Sequence, residues 1–561
     1  MNRTKKRLLL ILCFIFVWAS LSACSSENRK GENEGERGAE TSESAAGDND
    51  EKRYDDIVDI DWYVNLSWWK YGGEWGKDKF SRYIQDEFGL NINFITPAGD
   101  GADQISTMIA SGSIPDMITV ESWMDYKSKL AQGGYLAPMN ELIELHAPDF
   151  KMYEDVFSWY EEGDGNTYVV PNFAYSSHAM KEGEQLEPNS SFTIRSDIYE
   201  QLGRPDISTA DKFLDVLERV KNEIGTYDGK GIIPLQLYEF HSSGNTSEEW
   251  LREYFAVPYE NADGDLTKRQ EESKYWQVLK FLNEAYRRGL ISPDNFTDKR
   301  DQINEKVASG RVFAKLTASQ DFNPQMTTLF ESDSKAKYEA LALRNYDGDD
   351  PVLTDIRGWG WLVTGVSKKS KAQERIIKLM QFLYSKEGQH MTHFGGEGET
   401  YTWGEDGRVV MTEQYNELRD NNDGSLERKY GIGFNLLQDW YSVMNLYPKA
   451  EKPVDKYLAD LKKPLVPYSH DTTAAGGKAD PAHPERDTMR EISNRIGLLW
   501  GKELPRIIMA DSEEQARAVY EDYLAKIKEM GSDKLYAYAN ENFHRAKDAL
   551  GIAYSWPPLV K

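Results

Sequence analysis

Apolar residues first crowd together in one run, from Leu8 to Ala19, directly after Arg3, Lys5, Lys6 and Arg7. A run of about a dozen residues is shorter than the roughly 20 that a helix needs to cross hydrocarbon, and its charged start gives it the pattern of a signal peptide. From Ser25 to Arg53 large apolar residues almost vanish and Ser, Glu, Gly, Asn and Asp take over, a composition with nothing to bury. As a flexible coil, those roughly 29 residues would span on the order of 30 Å.

From Tyr54 onward the pattern changes to alternating helix-like and strand-like segments. Ile105, Met108 and Ile109 share one face of a helix over 104–110, Gly112 suits its C′ position, Pro115 prevents continuation, and 117–120 (Met-Ile-Thr-Val) reads as a buried strand. A second unit starts at Ser208, which with Asp211 resembles a capping box, and carries Phe213, Leu217 and Val220 at helical spacing. A third places Ile376, Leu379, Met380 and Leu383 on one face before Gly388, and a fourth does the same with Ala516, Val519, Tyr523 and Ile527. Such alternation predicts α/β layers with largely parallel sheets, whose ligands sit beyond the carboxyl ends of the strands. No repeat of fixed period is visible, which excludes a solenoid.

Charge and cysteine content narrow the picture. The formal charge of −26 argues against nucleic acid, whose phosphates need clustered Lys and Arg. Cys13 and Cys24 are the only cysteines. Leu21-Ser22-Ala23-Cys24 resembles a lipobox, so cleavage would make Cys24 the lipidated N-terminus and leave one cysteine, with no internal disulfide to form. More than one acyl chain makes such an anchor stable, because a single chain binds only marginally.

Four stretches, in this order and spacing, resemble the sugar-type extracellular solute-binding proteins (family 1) of ABC importers, in their long lipoprotein branch. They are residues 99–116, ending Ser113-Ile114-Pro115-Asp116; 194–203, opening Ile194-Arg195-Ser196-Asp197; 289–296, opening Gly289-Leu290-Ile291-Ser292-Pro293; and 359–398, with Trp359-Gly360-Trp361, Ser385-Lys386-Glu387-Gly388-Gln389 and Gly395-Gly396-Glu397-Gly398. The resemblance implies a two-lobed, periplasmic-binding-protein-like (type II) α/β fold with hinge segments and a ligand cleft between lobes. By analogy 1–23 is the signal peptide, 24–53 the anchored linker, 54–170 with 358–407 lobe one, and 171–357 with 408–561 lobe two. It further implies a monomer that captures an oligosaccharide by hinge closure and passes it to ABC permease subunits, held outside the cell membrane by the lipid on Cys24, with no cofactor and no catalysis.

One departure concerns calcium. Several long relatives carry an Asp- and Asn-rich calcium loop where this chain reads Gly225 to Pro234, and Thr226 with Asp228 supply too few of the six to eight oxygens calcium takes, so no calcium is expected there. The Asp-rich stretches 261–265 and 420–424 offer carboxylates that a calcium ion could take, but neither has EF-hand spacing and plain turns are the better reading.

A sugar offers a face of C–H groups and a rim of hydroxyls, so its receptor needs flat aromatic surfaces and fixed polar partners in a concave site. Aromatic residues make up 12% of the chain, and several cluster in loop-like segments. Trp68 and Trp69 follow a short strand-like run, and as neighbours they face opposite ways if the strand continues. Trp123 lies just past a predicted strand end. Trp359 and Trp361, two apart, would share one strand face, serving either as a stacking platform or as core. Glu397, Tyr401 and Trp403 combine an acceptor and two rings in a Gly-rich loop. Tyr175 and Arg195 fall near the expected first lobe crossing, where Arg195 serves either a ligand or a structural carboxylate. His241 stands in a polar loop. His390 and His393 have metal-ligand spacing on a helix but no further ligands, and read as surface histidines.

Rival readings are a secreted polysaccharide-active enzyme, since paired carboxylates would also be ringed by aromatics, and a sugar sensor serving a membrane kinase. The chain lacks Gly-x-Ser-x-Gly, His-Glu-x-x-His and Gly-x-x-x-x-Gly-Lys, which removes several enzyme classes.

Overall fold

Nine strands build two mixed sheets in the computed structural model, which describes residues 54–99, 101–174, 187–355, 358–421, 423–480 and 482–552, all within one compact unit. The expected signal peptide, Cys24, the linker and Tyr175 lie outside the described residues. In chain order the strands are β1 (Val58–Val64), β2 (Leu90–Ile95), β3 (Met117–Glu121), β4 (Val169–Pro171), β5 (Ser190–Arg195), β6 (Ile233–Gln236), β7 (Val312–Ala318), β8 (Tyr338–Ala340) and β9 (Leu362–Val366).

The first sheet has the order β2-β1-β3-β9-β4 and the second β8-β5-β7-β6. β1 runs parallel to β2 and β3, and β7 parallel to β6. β9 is antiparallel to both β3 and β4, and β5 to both β7 and β8. The sheets are therefore mixed rather than largely parallel, because β9 returns to the first sheet from the opposite direction, after the second has been built. β1 shows how register is set: Asp59 and Asp61 stand opposite Asn91 and Asn93 and accept their amides at 2.7 and 2.8 Å, while Ile60 and Trp62 point inward.

Each sheet is covered on both faces. Trp62, Val64, Leu362 and Val366 face one core of the first sheet, and Tyr63, Ile118, Val120 and Val363 face another. The second sheet has a large core containing Phe192, Ile194, Leu316 and Phe213 and a smaller one containing Tyr338, Phe322 and Val307. Separate cores make this a two-lobed α/β protein. Phe434, Leu436 and Leu437, beyond the border expected at residue 407, lie in a core of the first sheet.

The local units match the sequence pattern with shifts. Helix Ala102–Ser111 ends at Gly112 in the left-handed region (φ 65°), and β3 follows. Helix Ala210–Arg219 starts after Thr209, not Ser208, and the Thr209 hydroxyl bonds to Asp211 at 2.5 Å. Gly388 does not end a helix; it lies inside Lys386–Phe394, where a Cβ would stand 2.0 Å from the Phe382 carbonyl. The stretch 225–234 folds as a tight hairpin, with Asp228 and Gly229 both at positive φ between the paired 226–227 and 230–231.

The segments linking the sheets meet. Pro188 bridges Asp355, and Leu353–Thr354 pairs in parallel with Ser469–His470. Helix Arg486–Ile508 joins both lobes at its two ends. Trp500, Leu504, Ile507 and Ile508 are buried in the large core of the second sheet. Near its start, Arg486 donates to Glu162 (2.9 Å) and Ser128 (2.6 Å), and Arg490 to Asp125 (2.9 Å).

Candidate functional site

The carboxyl edge of the first sheet carries an exposed aromatic step. Trp68, just past β1, is 58% exposed. Its indole lies nearly parallel to that of Trp361, centroids 5.9 Å apart at 11°, and Phe173 leans on Trp361 at 6.4 Å. Trp69 takes the opposite direction: buried, edge-on to Phe94 and Phe434, it donates its indole N–H to Asn435 at 2.9 Å. It belongs to the core and not to a ligand surface; β1 ends at Val64, so the opposite directions of Trp68 and Trp69 are set by the turn that carries them rather than by strand alternation.

Trp123, just past β3, is 65% exposed, and its loop is tied to the same step. The Ser122 amide donates to the Trp361 carbonyl at 3.0 Å and its hydroxyl to the Gly360 carbonyl at 2.5 Å. Lys127 braces the loop from below by donating to the Ser122 and Met124 carbonyls, and burial holds its ammonium below the usual lysine range. Polar groups fill the space between β1 and β3: Tyr63 donates to Asn65 (2.8 Å), and Asn65 to Glu121 (2.9 Å). Asn172 is wholly buried, accepting from the Leu362 amide at 2.6 Å and donating to the Asn435 carbonyl at 2.7 Å, which rivets β9 to the loop under the tryptophans.

Trp359 and Trp361 do not share a face. Gly360 has φ 106°, and a Cβ there would stand 2.7 Å from both Asn172 O and Pro171 Cβ, so only glycine allows the turn. The turn breaks strand alternation and sends Trp359 to the other side of the sheet, where it stacks on Trp159 with centroids 4.0 Å apart.

The remaining predicted residues lie elsewhere. Arg195 is wholly buried, bidentate to Asp197 (2.8 and 2.7 Å), bonded to the Gly310 carbonyl and stacked over Tyr227; it serves the structural carboxylate and meets no open surface. His241 is exposed on a short hairpin against helix Arg486–Ile508, its ring bonded to Ser243 at 3.1 Å. Tyr401 and Trp403 form strand β10 (Tyr401–Trp403), paired with β11 (Val409–Met411). Tyr401 is buried, Trp403 38% exposed, and Glu397 exposed beside them.

This hairpin covers His390 and His393, which are buried rather than on the surface. Trp403 packs on His390 at 5.2 Å, and His393 shares a hydrogen bond with Tyr447 at 2.8 Å. Burial and the neighbouring His390 push the His393 imidazole down to about 4. Among the described residues no group of three or more His, Cys, Asp or Glu is placed to hold a metal ion.

The carboxyl edge of the second sheet differs in kind. Tyr238, past β6, donates to Asp321, past β7, and Arg300 both donates to Tyr238 and pairs with Asp321 at 3.1 Å. Burial pushes the Asp321 carboxyl up to about 7.

The profile of the family described as bacterial extracellular solute-binding protein matches residues 80–396, more than half of the chain. The chain belongs to that family. Solute-binding proteins of solved structure share its fold. The ABC-transporter substrate-binding protein FusA of S. pneumoniae, in complex with kestose, superposes with a TM-score of 0.66 at 16% identity, covering 88% of this chain and 100% of that one. The alginate-binding protein AlgQ2 gives 0.63 at 17%, over 88% and 99%. The HMO-binding solute-binding protein of Bifidobacterium longum infantis gives 0.63 at 15%, over 87% and 98%. No curated protein matches in sequence. Among the described residues no helix is long and apolar enough to cross a membrane.

The aromatic step lies beyond the carboxyl ends of β1 and β3, the edge at which open α/β sheets in general place ligands. Sequence reasoning missed Asn65, Phe173 and the Tyr238–Arg300–Asp321 cluster. The last had no local signal, because its members come from three separate segments.

Proposed function

We propose that this solute-binding protein captures an oligosaccharide against the Trp68–Trp361 step and delivers it uncleaved to the permease of an ABC importer. The observation that carries the reading is an indole more than half exposed, yet backed by a parallel indole, at the carboxyl edge of a sheet. Burial does not account for that arrangement; a flat, pre-positioned face for the C–H side of a sugar ring does. Trp123 offers a second face along the same edge, and Glu121, held by Asn65, offers a carboxylate for hydroxyls. The structures of FusA with kestose and of the alginate- and HMO-binding proteins support a carbohydrate ligand.

In this reading lobe one comprises residues 54–171 and 358–445, and lobe two most of the rest. The strip where 188, 353–355 and 469–470 meet acts as the hinge. Moving an equilibrium from 99 to 1 open to 99 to 1 closed takes about 5.5 kcal/mol of differential binding, within reach of stacked rings and hydrogen bonds made only when both lobes close on the sugar. The mature chain begins at lipidated Cys24, its linker lets the binding body work as a monomer at the outer face of the membrane, and no catalysis is involved.

The test is a panel of oligosaccharides titrated into the purified chain, with calorimetry and product analysis on the same samples. Binding of one class with the sugar recovered intact, weakened about tenfold or more in Trp68→Ala, is the expected result. New reducing ends, or unchanged binding in Trp68→Ala, would overturn it.

A further inference from the structure

The second sheet hides an ammonium with no counter-charge. Lys315 in the middle of β7 is 1% exposed, and its side chain makes no hydrogen bond or ion pair among the described residues. Its amine faces only rings, 4.9 Å from the centroid of Tyr338 and 5.5 Å from that of Phe322. Thr193 stands directly opposite it in the β5–β7 register, and Thr317, two residues on, shares its face of the sheet. Both hydroxyls are buried and, among the described residues, without a hydrogen-bond partner. Buried polar groups are nearly always satisfied, and an unpaired buried charge costs several kcal/mol, so three unpartnered groups on adjacent positions point to something that binds them.

The surrounding charges define what that is. Arg300 stands close enough to repel the ammonium, and with burial it pushes Lys315 down to about 7. Asp321 is engaged by Arg300 and Tyr238, and Arg195 on β5 is matched by Asp197. Arg300 in turn feels the Glu239 carboxylate as well as Asp321, so Lys315 is the cation of this group with no carboxylate of its own among the described residues. Every open group at the position is a donor: three ammonium hydrogens and two hydroxyls.

We infer that Lys315, Thr193 and Thr317 form a buried site for a small monovalent inorganic anion of the chloride class, inside the second lobe and separate from the aromatic step. The ion is held by the ammonium and both hydroxyls, and it fixes the charge of the sheet face that Phe322 closes. Gluconate, a much larger anion, serves as the reference salt.

Thermal unfolding of the purified full chain in sodium bromide and in sodium gluconate at equal ionic strength tests the site. The midpoint is expected about 2 °C or more higher in bromide, by preferential binding to the folded state. Lys315→Met and Thr193→Val should each remove that difference while remaining folded. Crystals of the unaltered chain soaked in bromide should show an anomalous peak between Lys315 Nζ and Thr193 Oγ1. Equal midpoints in both salts with no peak there, or bromide only at surface lysines, would overturn the proposal in favour of a neutral amine.

Discussion

The carboxyl edges of the two sheets are built from opposite materials. The first ends in indoles that face outward, with hydrogen bonds only behind them; the second ends in Tyr238, Arg300 and Asp321, which satisfy one another. A surface that offers shape can receive a partner at little desolvation cost, whereas one that offers charge must first break pairs it already has. In the proposed reading the lobes divide the work, the first presenting the recognition surface and the second a polar wall.

The contrast breaks most visibly at the buried neighbour of the exposed indole. Trp69→Ala should cost about 3–5 kcal/mol of stability in denaturant unfolding, since it removes a buried indole that packs on Phe94 and Phe434. In the second lobe, Arg300→Met strands the Asp321 carboxylate and should cost about 2–3 kcal/mol, most of it recovered by adding Asp321→Leu. A double-mutant cycle measures that recovery.

A pH titration sharpens the comparison. The His393 imidazole in the first lobe is depressed to about 4 from its ordinary 6.5, so between those values the unfolded chain binds the extra proton. Its contribution is intact above pH 6.5 and is lost as pH falls toward 4, about 3 kcal/mol in all, and His393→Gln should flatten that part of the pH–stability curve. The smallest stability effect belongs to Trp68→Ala, within about 0.5 kcal/mol, although oligosaccharide affinity should fall about tenfold or more. A large stability loss there would make Trp68 a core residue and erase the contrast.

What was legible in the sequence was local. Gly112, Pro115 and the apolar run after them specify a helix, a turn and a strand within twenty residues, and Trp123 could be placed at a strand end for that reason. Trp359 and Trp361 were misread because alternation assumes an unbroken strand, and the positive φ of Gly360 depends on how closely Asn172 and Pro171 approach it. His390 and His393 were misread because the hairpin that buries them folds back over a helix that has no reason of its own to be covered. Mixed strand directions were hidden by the long excursion before β9.

That excursion has a consequence for the order in which the protein can assemble. Among the described residues β4 finds its only neighbour in the sheet in β9, and β9 also separates β4 from β3. When the chain emerges from its N-terminus, β4 must wait, unzipped, until the entire second sheet has been synthesised. A fragment stopped short of Leu362 would leave β3 with one unpaired edge and β4 with none of its sheet partners, so the edges that β9 covers stay open to wrong pairing until that strand has been made.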